Sequence, residues 1–216
     1  MLLFGKIQNA KYISDMYANE YLYFKSLRDF RSKEIDPSGR FDPRELNLKN
    51  EQLTYLSVNT GFKEIELSKI LSNFKGQFTE NLSEPKINCC SLHTIEIEID
   101  KSLGNIDNKV LEMGNKMLLI HDFEPFFKIL DYSLEELGYT YSRKLVTYYD
   151  PKSYNGDLTL HHKDEIYRYQ NEYRILIAPT DNKPIKIPLP GLKKISTVID
   201  SNMISTIRLK TEPNKS

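Results

Sequence analysis

Cysteine is almost missing from this chain, and the two present, Cys89 and Cys90, are neighbours. Adjacent cysteines bridge one another poorly and provide no framework for a secreted fold, so a cytoplasmic setting is expected. Charge of one sign is missing too: 30 Lys+Arg stand against 30 Asp+Glu, a formal net charge of zero. That excludes the global positive field of a small dedicated DNA binder, and any contact with a polyanion should be local. Apolar runs such as Met117-Leu118-Leu119-Ile120 fall far short of the ~20 residues that span a bilayer. Met1-Leu2-Leu3-Phe4 is too brief for a signal-peptide core, and no membrane partner is expected. The nine glycines are scattered, with no phosphate-cradling loop and no Gly-x-Gly-x-x-Gly turn; nucleophile elbow and HExxH are absent as well. His93, His121, His161 and His162 lack metal-ligand spacing with the cysteines, so no metal is expected.

Aromatic residues are plentiful. Fourteen Tyr and ten Phe in 216 residues, with charges that cancel, predict a folded chain rather than a disordered one. Its length suits one domain, read here as residues 1–210 with a frayed polar tail from 211 to 216. The periodicity predicts a strand at Leu2-Leu3-Phe4, a helix over 8–19, a strand over 21–24 and a turn of helix after Leu27. Asp36-Pro37-Ser38-Gly39 is turn chemistry within a loop of about 33–46. Further strands are expected at 53–58, 87–93, 95–99, 116–121, 145–149, 173–177, 185–187, 195–199 and 204–209, with helices over 65–74 and 124–137. Many strands, early helices and no regular alternation predict an α+β fold.

The stretch richest in chemistry is Gln170-Asn171-Glu172-Tyr173-Arg174 before Ile175-Leu176-Ile177. In a strand, residues two apart share a face, so Gln170, Glu172 and Arg174 line up where a buried strand begins. A carboxylate there is costly unless it is paired or used, and an ordinary Glu172–Arg174 ion pair is one reading. Asp42 and Glu45, with Asp36, Glu172 and Lys163, could instead seed the magnesium site of a two-metal nuclease. An acidic, solvated loop is the simpler account of Asp36, Asp42 and Glu45.

Gln-x-Glu entering a hydrophobic strand resembles the catalytic signature of ADP-ribosyltransferases. The segment 161–177 is also similar to a bacterial and phage family with a Lys, an aromatic and then (Gln/Glu)-x-Glu-aromatic-Arg. That family's N-terminal hallmarks match Tyr23-Phe24-Lys25-Ser26, Phe30-Arg31 and Asp42-Pro43-Arg44-Glu45. The resemblance implies two packed, mainly antiparallel sheets in one α+β domain, with NAD as co-substrate. It also implies a macromolecular acceptor, nucleic acid or protein, and a toxin or phage-defence effector held by an inhibitory antitoxin partner. Glu172 would stabilise an oxocarbenium-like transition state and Gln170 would orient the acceptor. Tyr23 or Phe24 would pack on nicotinamide, Ser26 would buttress Glu172, and Lys6, Arg28 or Arg31 would hold the pyrophosphate. Asp42, Glu45, Lys163, Tyr169 and Arg174 would serve the substrate or its loop. Phe4-Gly5-Lys6 stands where the superfamily has Arg or His before Gly, and Ser-Thr-Ser is reduced to Lys25-Ser26. A magnesium-dependent nuclease and an inactive binding module on the same fold are the alternatives.

Overall fold

The computed structural model describes residues 2–31, 41–71, 74–96 and 107–207. The expectations for Asp36, for Ile97 and Ile99, and for the 211–216 tail lie outside them. Strand β1 (Leu2–Gln8) leads through helix α1 (Ala10–Ala18) to β2 (Tyr21–Ser26) and a 3-10 turn over Leu27–Phe30. β3 (Asn47–Leu53), β4 (Ser57–Asn59), β5 (Glu64–Glu66), α2 (Leu67–Ile70) and β6 (Gly76–Asn81) form a small polar lobe. β7 (Asn88–Glu96), α3 (Asn108–Leu111), β8 (Lys116–Ile120), α4 (Phe123–Glu136) and β9 (Thr140–Leu145) return to the main sheet. β10 (Thr147–Tyr149), β11 (Gly156–Asp157), β12 (His162–Asp164) and a 3-10 turn over Glu165–Gln170 precede β13 (Glu172–Ala178). β14 (Ile185–Pro188), α5 (Leu192–Ile195), β15 (Ser196–Asp200) and a 3-10 turn over Ser201–Thr206 complete the described chain.

The fold is α+β in one domain, mostly antiparallel. Eight strands make the main sheet, in the path β14-β2-β7-β1-β8-β15, with β13 pairing β7 and β9. Among the described pairings, β10 with β12 is the parallel one. The sheet is covered on both faces. Leu118 and Ile120 of β8 join Ile13 and Met16 of α1, Phe126, Leu130 and Leu134 of α4, and Leu192 and Ile195 of α5 in the larger core. Met117 and Leu119, one residue out of phase, pack with Leu3, Ile7, Val110, Met113 and Ile204 in a second core. A strand buried on both faces is a continuous apolar run, as β8 is. Helix α4 admits Pro125 in its first turn, where the missing N–H would have no helical partner. It stops at Gly138, whose positive φ of 73° lets the Gly138 and Tyr139 N–H groups bond back to Glu135 and Leu134 carbonyls.

Several expectations change. The strand expected over 53–58 is two strands, β3 and β4. The helix over 65–74 shrinks to Leu67–Ile70. The 145–149 strand divides at Val146, whose N–H turns to the Glu172 carbonyl. Residues 192–195 are helical before β15, and a 3-10 turn ends at Thr206 where a strand was expected to run from 204. β3 is polar because its side chains are used: Asn50 and Gln52 amides donate to the Pro151 carbonyl. Tertiary partners there override local apolar patterning.

Candidate functional site

The main sheet is forked. β13 pairs Asn88 to His93 of β7 along one edge. β1 takes the opposite edge at His93 to Glu96, and β2 takes that same edge at Asn88 and Cys89. Cys90, Ser91 and Leu92 thus sit in a gap where β1 and β2 part. Lys6 of β1 reaches into it and donates from Nζ to the Ser91 carbonyl at 2.8 Å. A cleft of about 680 Å³ opens over this fork, with Lys6, Tyr23, Ser91, His93, Lys163 and Glu172 in its walls.

Glu172 opens β13 and is buried at 4% exposure. Its Oε1 accepts from Ser91 Oγ at 2.5 Å and from Arg174 Nε at 2.8 Å. Its Oε2 accepts from Lys163 Nζ at 3.1 Å, and the same ammonium donates to Gln170 Oε1 at 2.8 Å. Arg174, 2% exposed, also grips Glu45 with Nη1 at 2.6 Å and Nη2 at 3.3 Å. Two carboxylates and two cations therefore share one buried cluster, and their formal charges cancel.

Burial works against the Glu172 carboxylate, but Arg174 and Lys163 outweigh it and hold the group well below the usual carboxylate range. Burial dominates at Glu45, pushing its carboxyl up against the pull of Arg174 and Lys163. Asp42 is raised for the same reason, with the Arg44 N–H opposing. The arrangement leaves Glu172 firmly ionised in the cleft wall. His93, half-buried beside it, is pushed down to about 4 by desolvation. Its Nδ1 lies 2.7 Å from the Gln170 carbonyl, so the neutral ring carries its proton on Nδ1. Burial pushes the Cys89 thiol up to about 12, which removes it as a thiolate nucleophile.

The backbone reaches this geometry by a route that strand alternation does not describe. Gln170 ends a 3-10 turn rather than starting the strand, and Asn171 follows in the left-handed region at φ 43°. The Asn171 carbonyl accepts from the Thr94 N–H and hydroxyl, both at 2.8 Å, which pins the corner to β7. Gln170 and Glu172 meet through Lys163, not through a shared strand face. Lys163 comes from the middle of β12, where Asp164 is held by Arg44 at 2.7 Å and caps the next turn.

Other expected residues are redistributed. Tyr23 is open, at 38% exposure, in the cleft wall. Phe24 is fully buried in the larger core, so its assignment to a cofactor is corrected: Tyr23 and Lys25 face the cleft, and the alternating positions Leu22 and Phe24 face the core. Ser26 does not buttress Glu172. It pairs with Asn88 while Glu172 pairs with His93, five residues or roughly 17 Å along β7, and its hydroxyl donates to Asn182. The serine on Glu172 is Ser91, which the sequence reading missed; its alternation with buried Cys90 and Leu92 was the available signal. Arg28 and Arg31 are exposed and outside the cleft lining, which takes Leu27 and Phe30 from that turn. Asp42 and Glu45 stand behind the cleft wall rather than in it. Asp42 accepts from the Arg44 N–H at 2.8 Å, and the Tyr167 hydroxyl ties the loop by donating to the Phe41 carbonyl. Tyr169 turns to the second core and to a smaller cleft of about 280 Å³, with Lys109 over its ring at 5.1 Å. Among the described residues no group of three or more His, Cys, Asp or Glu is gathered as a cation site. Among them, too, no helix is long and apolar enough to cross a membrane.

No protein family, curated protein or solved structure gave a match to this chain.

Proposed function

We propose that the chain is an NAD-dependent ADP-ribosyltransferase acting on a macromolecular acceptor. The observation that carries this reading is Glu172: a buried, ionised carboxylate in a cleft wall, fixed by Ser91, Arg174 and Lys163. Breaking the bond between nicotinamide and ribose sends the bonding pair to the nicotinamide nitrogen and leaves cationic character on the ribose. A fixed anion at that place stabilises the transition state without reorganising. The acceptor's nucleophile then forms the new bond to the ribose carbon and gives up its proton. The cleft's volume falls within the range of small-molecule sites. Lys6 supplies an ammonium for the pyrophosphate and Tyr23 an aromatic face for a ring. Gln170, its amide oriented by Lys163, lies beside Glu172 and would meet the acceptor.

The test is nicotinamide release from NAD by purified protein with lysate or nucleic acid. Glu172→Gln keeps the shape and removes the charge, and should cost about a hundred- to a thousand-fold in rate. Undiminished activity in that variant, or turnover that needs magnesium and no NAD, would overturn the proposal. A magnesium nuclease would instead fail on Asp42→Asn.

A further inference from the structure

We infer that Lys163 is a positioning residue for the reaction, one ammonium that sets both Glu172 and Gln170. The inference rests on the transferase reading of the site and adds to it a residue through which two others act. Lys163 is 4% exposed, and its Nζ stands 2.8 Å from Gln170 Oε1 and 3.1 Å from Glu172 Oε2. A buried lysine is costly unless its donors are met, and these two acceptors come from different elements, a 3-10 turn and a strand. Asn171 separates them in a left-handed conformation, so the backbone alone does not hold the two side chains together. The shared ammonium does.

The bridge acts on each partner differently. At Glu172 it meets the carboxylate oxygen opposite the one taken by Ser91 and Arg174, so both oxygens are fixed and the carboxylate cannot rotate. At Gln170 it selects the amide's orientation: an ammonium donates only, so the carbonyl oxygen turns to Lys163 and the NH2 end turns toward the Tyr169 hydroxyl, 3.4 Å away. Lys163 is itself held firmly. β12 pairs with β10 in parallel, Arg44 grips the neighbouring Asp164, and the Tyr167 ring lies 5.0 Å from the ammonium. Its place is set from outside the pair it sets.

The test uses the full chain with Lys163→Met, which keeps length and removes the charge, and Lys163→Arg, which keeps the charge. Lys163→Met should lower kcat by about ten- to a hundred-fold, the usual worth of a hydrogen bond to a charged group. KM for NAD should change much less. The acid limb of the pH profile should move up toward the ordinary carboxylate value, because Glu172 loses one of its two cations. Lys163→Arg should restore part of kcat and the acid limb. In a Glu172→Gln background, adding Lys163→Met should cost far less than it does alone, because its main target has gone. A readout independent of turnover is the Glu172 carboxyl resonance in carbon-13 NMR, assigned by its loss in Glu172→Gln. It should titrate at higher pH in Lys163→Met than in the unsubstituted chain. Equal losses in both backgrounds, or an unmoved Glu172 titration in the folded variant, would overturn the inference. If Lys163→Met does not fold, the titration of Lys163→Arg decides: a Glu172 still held low supports the inference, and one returned to the ordinary range overturns it. Absence of any NAD turnover in the unsubstituted chain would strike the transferase reading instead, and would leave the NMR comparison standing.

Discussion

At the scale of single residues, the molecule concentrates its electrostatic risk in Arg174. Taking its guanidinium out of water is offset by three acceptors, the carboxylates of Glu172 and Glu45 and the Leu160 carbonyl. Removing it strands two buried carboxylates with Lys163 as their nearby cation. Arg174→Met should therefore cost about 3–5 kcal/mol in urea unfolding, the usual range for breaking a buried pair from one side. Glu45→Gln should cost clearly less, since burial already disfavours the ionised Glu45. Equal losses in the two variants would mean that the guanidinium is held for Glu45 as much as for Glu172. The sequence offered Arg174 as one partner of Glu172, and the two meet at 2.8 Å. It did not announce that Glu45, 129 residues away, would share the same guanidinium.

At the scale of elements, the corner between the Glu165–Gln170 turn and β13 decides the site's shape. Asn171 accepts a left-handed backbone more readily than most residues, and its carbonyl is the acceptor for both Thr94 donors. Asn171→Gly should fold and keep activity. Asn171→Val, a β-branched residue at positive φ, should lose roughly 1–2 kcal/mol. Its activity loss should exceed what the fraction unfolded explains, because Gln170 swings away from Lys163. Thermal unfolding alongside nicotinamide release separates the two effects, and a loss matched to the unfolded fraction would show that the corner is merely structural. Strands with clear apolar patterning were legible: β2, β8, β13 and β14 fall where residue periodicity placed them. β1 instead runs on to Gln8, and β7 is one strand through both the 87–93 expectation and the start of the 95–99 one. The polar lobe from β3 to β6 was not, because its strands are held by side-chain amides and by pairing rather than by an apolar face.

At the scale of the whole molecule, pH is the variable that reports on the buried charges. His93 protonates near 6.5 when unfolded and resists until about 4 when folded. Between those values the unfolded chain binds more protons, so stability is lost as pH falls through that window, by ~3 kcal/mol in all. Glu172 adds a further loss as pH falls below 4.5 toward its depressed folded value. Glu45 and Asp42, raised by burial, run the other way: ionising them costs stability as pH rises from their ordinary values through their folded ones. Urea unfolding from pH 8 down to 4 should show a net decline, and His93→Gln should reduce its slope between 6.5 and 4 while His161, also pushed down to about 4 by burial, keeps the rest. Parallel curves for the two proteins would remove His93 from this account.

The sequence by itself determined the α+β class and the strands and helices with strong periodicity, and it offered Arg174 as one partner for Glu172. Those follow from near-neighbour rules: alternation, helical spacing, capping and the cost of an unpaired buried charge. Only the tertiary structure decided that β1 and β2 part on one edge of β7 and open a cleft there. It also decided that Ser91 rather than Ser26 holds Glu172, that Phe24 belongs to the core, and that Asp42 and Glu45 stand behind the site. The physical reason is that a side chain's partner across a sheet depends on register and on which edge is free. Two residues apart in sequence fix a face, whereas five residues along a neighbouring strand separate one serine from the glutamate and bring another within 2.5 Å of it.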